Sequence, residues 1–98
     1  MYLIKFSKRA EKDKKLLKGA GLEAKAKSLL NIIGQYPFQN PPPYEALLGN
    51  LSGFYSRRIN IQHRLVYEVI PEEIVENGVV YEGIVKVDRM WTHYHGVR

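Results

Sequence analysis

The sequence predicts an α+β domain: an antiparallel-dominated β-sheet with two N-terminal helices packed on one of its faces. Three observations predict it. The chain has 98 residues, 45% of them apolar, enough for one core and too few for a second. Apolar residues at helical spacing are confined to positions 8–36, whereas from residue 54 onward β-branched and aromatic residues alternate with polar ones between turn signals. Helices followed by a run of strands place the helices on one side of the sheet, rather than alternating them with parallel strands.

The elements follow in order. Tyr2 to Phe6 reads as a first strand. Ser7 is the N-cap of a helix from Lys8 to Lys18, because its hydroxyl can accept from an amide of the first turn. Gly19-Ala20-Gly21 ends that helix, glycine taking the left-handed conformation that closes a C-terminus. A second helix runs from about Leu22 to Tyr36, with Leu22, Ala26, Leu29, Leu30 and Ile33 on one stripe, and Pro37 stops it. PFQNPPP, residues 37–43, is a stiff extended connector. Glu45 to Leu48 is a short edge strand and Asn50 to Gly53 a turn. Strands follow at Phe54 to Ile61 and Arg64 to Ile70. Asn77-Gly78 is a type I′ hairpin signal between Ile74-Val75 and the apolar run Val79 to Val87, which continues through Met90 and Trp91 to His93. The strands are expected to form a β-meander.

Composition narrows the function. There is no cysteine, which excludes disulfides and thiolate metal sites and fits a reducing cytoplasm. The three histidines, His63, His93 and His95, form no helical ligand pair, so neither metal nor cofactor is expected. No apolar run is long enough for a membrane span and no secretion signal opens the chain. The net charge of +5 is unevenly placed: residues 1–28 carry nine Lys/Arg against three acids, the remainder six against seven. A cationic helical face is either a solvated surface or a docking surface for a polyanion such as RNA or for an acidic partner chain, with Lys8, Lys12 and Lys15 on its first helix.

The segment Asn50 to Val69 concentrates the chemistry. Arg57, Arg58 and Arg64 lie on adjacent strand-like runs, and guanidinium forks match phosphate oxygens. Strand alternation sends Arg57 and Arg58 to opposite faces, so Arg57 is assigned to structure. His63, one residue from Arg64, faces away from it and reads as a packed or turn histidine. Tyr55 and Tyr67 read as sheet packing, and Trp91 as core or a cover over the end of the sheet. Metal-free RNA cleavage needs a base for the ribose 2′-hydroxyl, a cation for the phosphorane oxygens and an acid for the leaving 5′-oxygen. Glu45, Arg64 and His93 can fill those roles, but spacing alone does not bring them together.

Asn50-Leu51-Ser52-Gly53-Phe54-Tyr55-Ser56-Arg57-Arg58-Ile59, His63-Arg64-Leu65-Val66-Tyr67, Pro37-Phe38 and the terminal His93-Tyr94 resemble the Txe/YoeB family of toxins from bacterial toxin–antitoxin modules, within the RelE-like group. The resemblance is specific from Glu45 to Val69 and lies more in pattern than in letters before residue 50. It implies a compact RelE/YoeB-like toxin domain over residues 1–98. It also implies cleavage of mRNA in the ribosomal A site with the ribosome as partner, and an acidic antitoxin wrapped around the toxin. A homodimer is a further possibility. The resemblance makes Glu45 the general base, Arg64 the phosphate-binding cation, His93 the general acid and Tyr94 an orienting or stacking group. Arg58 becomes a supporting phosphate contact.

The chain departs from the pattern in places. His95-Gly96-Val97-Arg98 follows the His-Tyr pair, and His95 is the alternative acid. Leu48 and Gly49 stand where the family is commonly basic or polar, a loss the lysines of the first helix can offset. Residues 71–78 form a longer excursion. Two other readings stay open: a non-enzymatic ParE-like toxin acting by protein contact, and a plain RNA-binding regulator. An ionised Glu45 and a protonated His93 predict a bell-shaped pH–rate profile.

Overall fold

The computed structural model describes residues 1–91. His93, Tyr94 and His95 therefore lie outside the described residues. Strand β1 spans Tyr2–Phe6, helix α1 Lys8–Gly19 and helix α2 Glu23–Gln35. Then come β2 (Glu45–Ala46), a 3₁₀ turn (Gly49–Leu51), β3 (Phe54–Arg58), β4 (Arg64–Ile70), β5 (Ile74–Glu76), β6 (Val79–Tyr81) and β7 (Gly83–Arg89).

Local signals place the helices as the sequence predicts. The Ser7 hydroxyl accepts from the Ala10 amide at 3.0 Å and donates to the Asp88 carbonyl at 2.7 Å, so one side chain caps α1 and ties it to β7. At the other end Gly21 has φ +75°, and the Ala20 and Leu22 amides return to carbonyls of the last turn. Tyr36 leaves the helical region and Pro37 prevents continuation of α2.

The sheet order is β1-β7-β4-β3-β2, with β2, β3, β4 and β7 antiparallel in sequence. Two features correct the meander. First, β1 pairs in parallel with β7, Tyr2 opposite Gly83 through Phe6 opposite Val87, so the first and last strands of the described chain lie side by side. The crossover from β1 passes through both helices, as a parallel pair requires. Second, β5 and β6 form their own two-stranded ribbon around Asn77 and Gly78, both at positive φ. The long apolar run is cut at Gly83, where a Cβ would lie 2.4 Å from the Ile70 carbonyl oxygen. Only glycine lets β7 leave the ribbon and pass so close to the end of β4.

Both helices cover one face. Ala10 and Leu17 of α1 and Ala26, Leu29 and Ile33 of α2 pack with Leu65 and Tyr67 of β4, Val85 and Val87 of β7, Ile59 and Met90. By alternation, the neighbouring positions Ser56, Arg58 and Arg64 face the other way.

Candidate active site

The site is built on the β2–β3–β4 end of the sheet, and a buried cation assembles that end. Arg57 is fully buried. Its guanidinium donates to the carbonyls of Pro42 (2.7 Å), Gln39 (2.8 Å) and Pro37 (3.0 Å) and to the Tyr67 hydroxyl (3.1 Å). Tyr67 in turn donates to the Pro37 carbonyl at 2.7 Å. Proline-rich chain makes few ladder bonds of its own, so its carbonyls are available, and the guanidinium fork gathers them. Burial pushes the Tyr67 hydroxyl above the usual tyrosine range, partly opposed by the hydrogen bond and charge of Arg57. Phe38, Tyr44 and Tyr55 pack edge-to-face or tilted around this knot, with centroids 4.9–6.0 Å apart. The connector is thus held as a shaped wall, and it delivers Glu45 to the sheet edge.

Glu45 pairs with Ser56 across β2–β3, and Arg58 pairs with Arg64 across β3–β4. Arg64 reaches diagonally over β3. Its Nη1 lies 2.8 Å from Glu45 Oε1 and donates to Ser56 Oγ at 3.2 Å. Pro43, Tyr44, Glu45, Ser56, Arg58 and Arg64 line a hollow of about 300 Å³ that opens to solvent. Glu45 is 64% exposed and Arg64 25%. Two guanidinium groups directly opposite one another on adjacent strands repel, a cost the sheet bears. Of these two, Arg64 has a carboxylate partner and Arg58 has none among the described residues, so Arg58 leaves net positive charge at the mouth. The hollow combines a solvent-accessible carboxylate, a half-buried guanidinium with N–H groups to spare, a second cation and an aromatic wall. That set suits a phosphodiester flanked by a ribose and a base.

Not every expected residue is here. Lys8, Lys12 and Lys15 are exposed on α1, which packs on the helix-covered face, and none lines the hollow. Arg57, expected to be structural, is the organiser of the connector. His63 is buried and stacks on Trp91 with centroids 3.8 Å apart and planes 20° from parallel, a cover at the end of the sheet. Among the described residues no group of His, Asp and Glu is arranged to hold a metal ion. Reading the sequence missed Ser56, Tyr44 and Asp13. Asp13 was legible as an acid in a basic helix that falls on the buried stripe with Ala10 and Leu17.

The fold matches solved toxin structures. A YoeB dimer from Staphylococcus aureus superposes with a TM-score of 0.72 at 31% identity, covering 95% of this chain and 98% of that one. A YoeB/ParE toxin from Agrobacterium tumefaciens superposes at 0.75 and 24% identity, covering 94% and 99%, which speaks to fold alone. The class is therefore that of small α+β toxins of toxin–antitoxin systems. Residues 5–94 match the family described as YoeB-like toxin of bacterial type II toxin–antitoxin system, and the chain belongs to that family. A Toxin YoeB from Synechocystis is 43% identical over 65 residues, 66% of this chain and 69% of the relative, and one from Escherichia coli K12 is 38% identical over 65 residues, 66% and 70%.

Proposed function

We propose that this type II toxin is a metal-independent endoribonuclease that cleaves mRNA on the ribosome and so arrests translation. The observation that carries the reading is the convergence of Glu45, Arg64 and Arg58 on one open hollow, with Glu45 and Arg64 2.8 Å apart. Glu45 takes the proton from a ribose 2′-hydroxyl. The oxygen attacks the adjacent phosphorus, and Arg64 and Arg58 stabilise the charge that builds on the non-bridging oxygens. Arg64 keeps free N–H groups for phosphate while its Nη1 holds Glu45 in place. His93 protonates the departing 5′-oxygen, and Tyr94 orients or stacks the substrate. The products are a 2′,3′-cyclic phosphate and a 5′-hydroxyl. An exposed carboxylate and an open hollow are consistent with a site completed by ribosome-bound RNA.

The partner reading follows the chemistry. The cationic helical face and the uncompensated Arg58 fit an acidic antitoxin, and the S. aureus relative is described in complex with YefM and as a dimer.

The test is expression in bacteria with primer extension on a reporter mRNA, alongside cleavage on purified ribosomes. Wild-type chain should arrest growth and cut the message. Glu45→Gln and Arg64→Ala should abolish cutting, and His93→Gln should slow it about 100-fold or more with a measurable residual rate, while the proteins stay folded. Growth arrest that persists in all three, with intact mRNA, rejects the nuclease; DNA-damage signalling in that case points to the protein-binding toxin.

A further inference from the structure

The site above has an unexplained support on the far side of the sheet. Asp13 is 3% exposed, in the core-facing row of α1. One of its oxygens, Oδ2, accepts from Arg89 Nε (2.9 Å), the Met90 amide (2.9 Å) and the Trp91 amide (3.2 Å). Arg89 also donates from Nη2 to the Trp91 carbonyl at 2.9 Å. With Ser7 bonded to the Asp88 carbonyl, each residue from 88 to 91 is held from Ser7 or Asp13.

This is a costly way to end a strand. A buried carboxylate needs full compensation, and a buried ion pair replaced as a whole by apolar residues of similar volume is often no less stable. What the carboxylate supplies is direction. The last sheet pair of β7 is Arg89 opposite Val66, two residues from Arg64. Beyond that pair the Met90 and Trp91 amides have no strand partner, and Asp13 takes both. The Trp91 ring then stacks on His63, the neighbour of Arg64 in sequence. The strand is therefore fixed at both backbone and ring, two residues before His93 in the sequence.

We infer that Asp13 is a positioning residue for the proposed reaction: through Arg89, Met90 and Trp91 it fixes the backbone two residues before the proposed general acid His93. The inference rests on the nuclease reading. A shift of about 1 Å in a reacting group can lower a rate ~100-fold, so a clamp on the backbone just before the acid acts on the chemical step rather than on binding.

The experiment is single-turnover cleavage of ribosome-bound mRNA by the full chain. Asp13→Asn keeps the shape and removes the charge. It should lower the rate of the chemical step about 10- to 100-fold with apparent KM changed less than about threefold. In a background lacking both imidazoles (His93→Ala with His95→Ala), Asp13→Asn should cost nothing more, because its effect passes through the acid. Trp91 is the sole tryptophan, so its emission reports the clamp without reference to activity. Asp13→Asn should shift that emission and raise its quenching by acrylamide, whereas Glu45→Gln should not. If Asp13→Asn is too unstable to purify, Arg89→Gln, which leaves the two amides on Asp13, serves with a smaller loss in the same direction. An equal loss with and without the imidazoles, or an unchanged rate, overturns the inference while Glu45→Gln remains inactive. Full activity of Glu45→Gln overturns the nuclease reading and the inference with it.

Discussion

At the scale of single residues, charge is arranged by what surrounds it. Arg57 and Arg58 are adjacent in sequence and opposite in circumstance: one is sealed among carbonyls, the other stands in solvent at the mouth of the hollow. Replacing Arg57 with Leu should leave the Gln39 and Pro42 carbonyls without a donor, at about 1–3 kcal/mol for each that water does not reach, while the Pro37 carbonyl keeps the Tyr67 hydroxyl. Urea unfolding should show a loss of that order, whereas Arg58→Ala should be nearly neutral to stability. Tyr67 gives a pH dependence. Its folded pKa is raised by burial, so its contribution is fully present below the ordinary tyrosine value of about 10 and is lost as pH rises toward the folded value. Stability measured from neutral pH to strongly alkaline pH should fall on the alkaline side. The difference between wild type and Tyr67→Phe should shrink over the same range.

At the scale of elements, the decisive pieces are short. β2 has only Glu45 and Ala46, yet its pairing with β3 places the Glu45 carboxylate, the proposed base, opposite Ser56. So short a strand is held by the connector that Arg57 grips rather than by its own ladder. Gly83 is the other decisive position. Its would-be Cβ meets backbone, the Ile70 oxygen at 2.4 Å and the Pro71 Cα at 3.2 Å, so nothing flexible can yield. Gly83→Ala should disturb the β4–β7 junction and destabilise the fold by ~1–3 kcal/mol, the range for overpacking, seen as a lower urea midpoint without change at the hollow. Gly19→Ala, with open space around its Cβ, is the matched control.

At the scale of the whole molecule, the two cationic regions face different ways. The lysines of α1 lie on the helix-covered side, and Arg58 and Arg64 lie on the open side. Neutralising Lys8, Lys12 and Lys15 together to Gln should weaken association with ribosomes or antitoxin and reduce its salt dependence, leaving the single-turnover rate intact. Arg58→Ala should act on the chemical step. Ribosome-binding and single-turnover assays at several salt concentrations separate the two. Among the described residues no helix is long and apolar enough to cross a membrane.

The sequence by itself determined the elements and their chemistry. Ser7, Gly21 and Pro37 set helix limits through local hydrogen bonding and backbone freedom, and Asn77-Gly78 set a hairpin, because those effects act within a few residues. Alternation alone also separated Arg57 from Arg58. Tertiary structure decided what depends on distant partners: the parallel seat of β1 beside β7, the detached β5–β6 ribbon, the Arg64–Glu45 pair, and the burial of Asp13. Registry between strands and the company of a buried charge are fixed by packing across the sheet, and no local pattern encodes them.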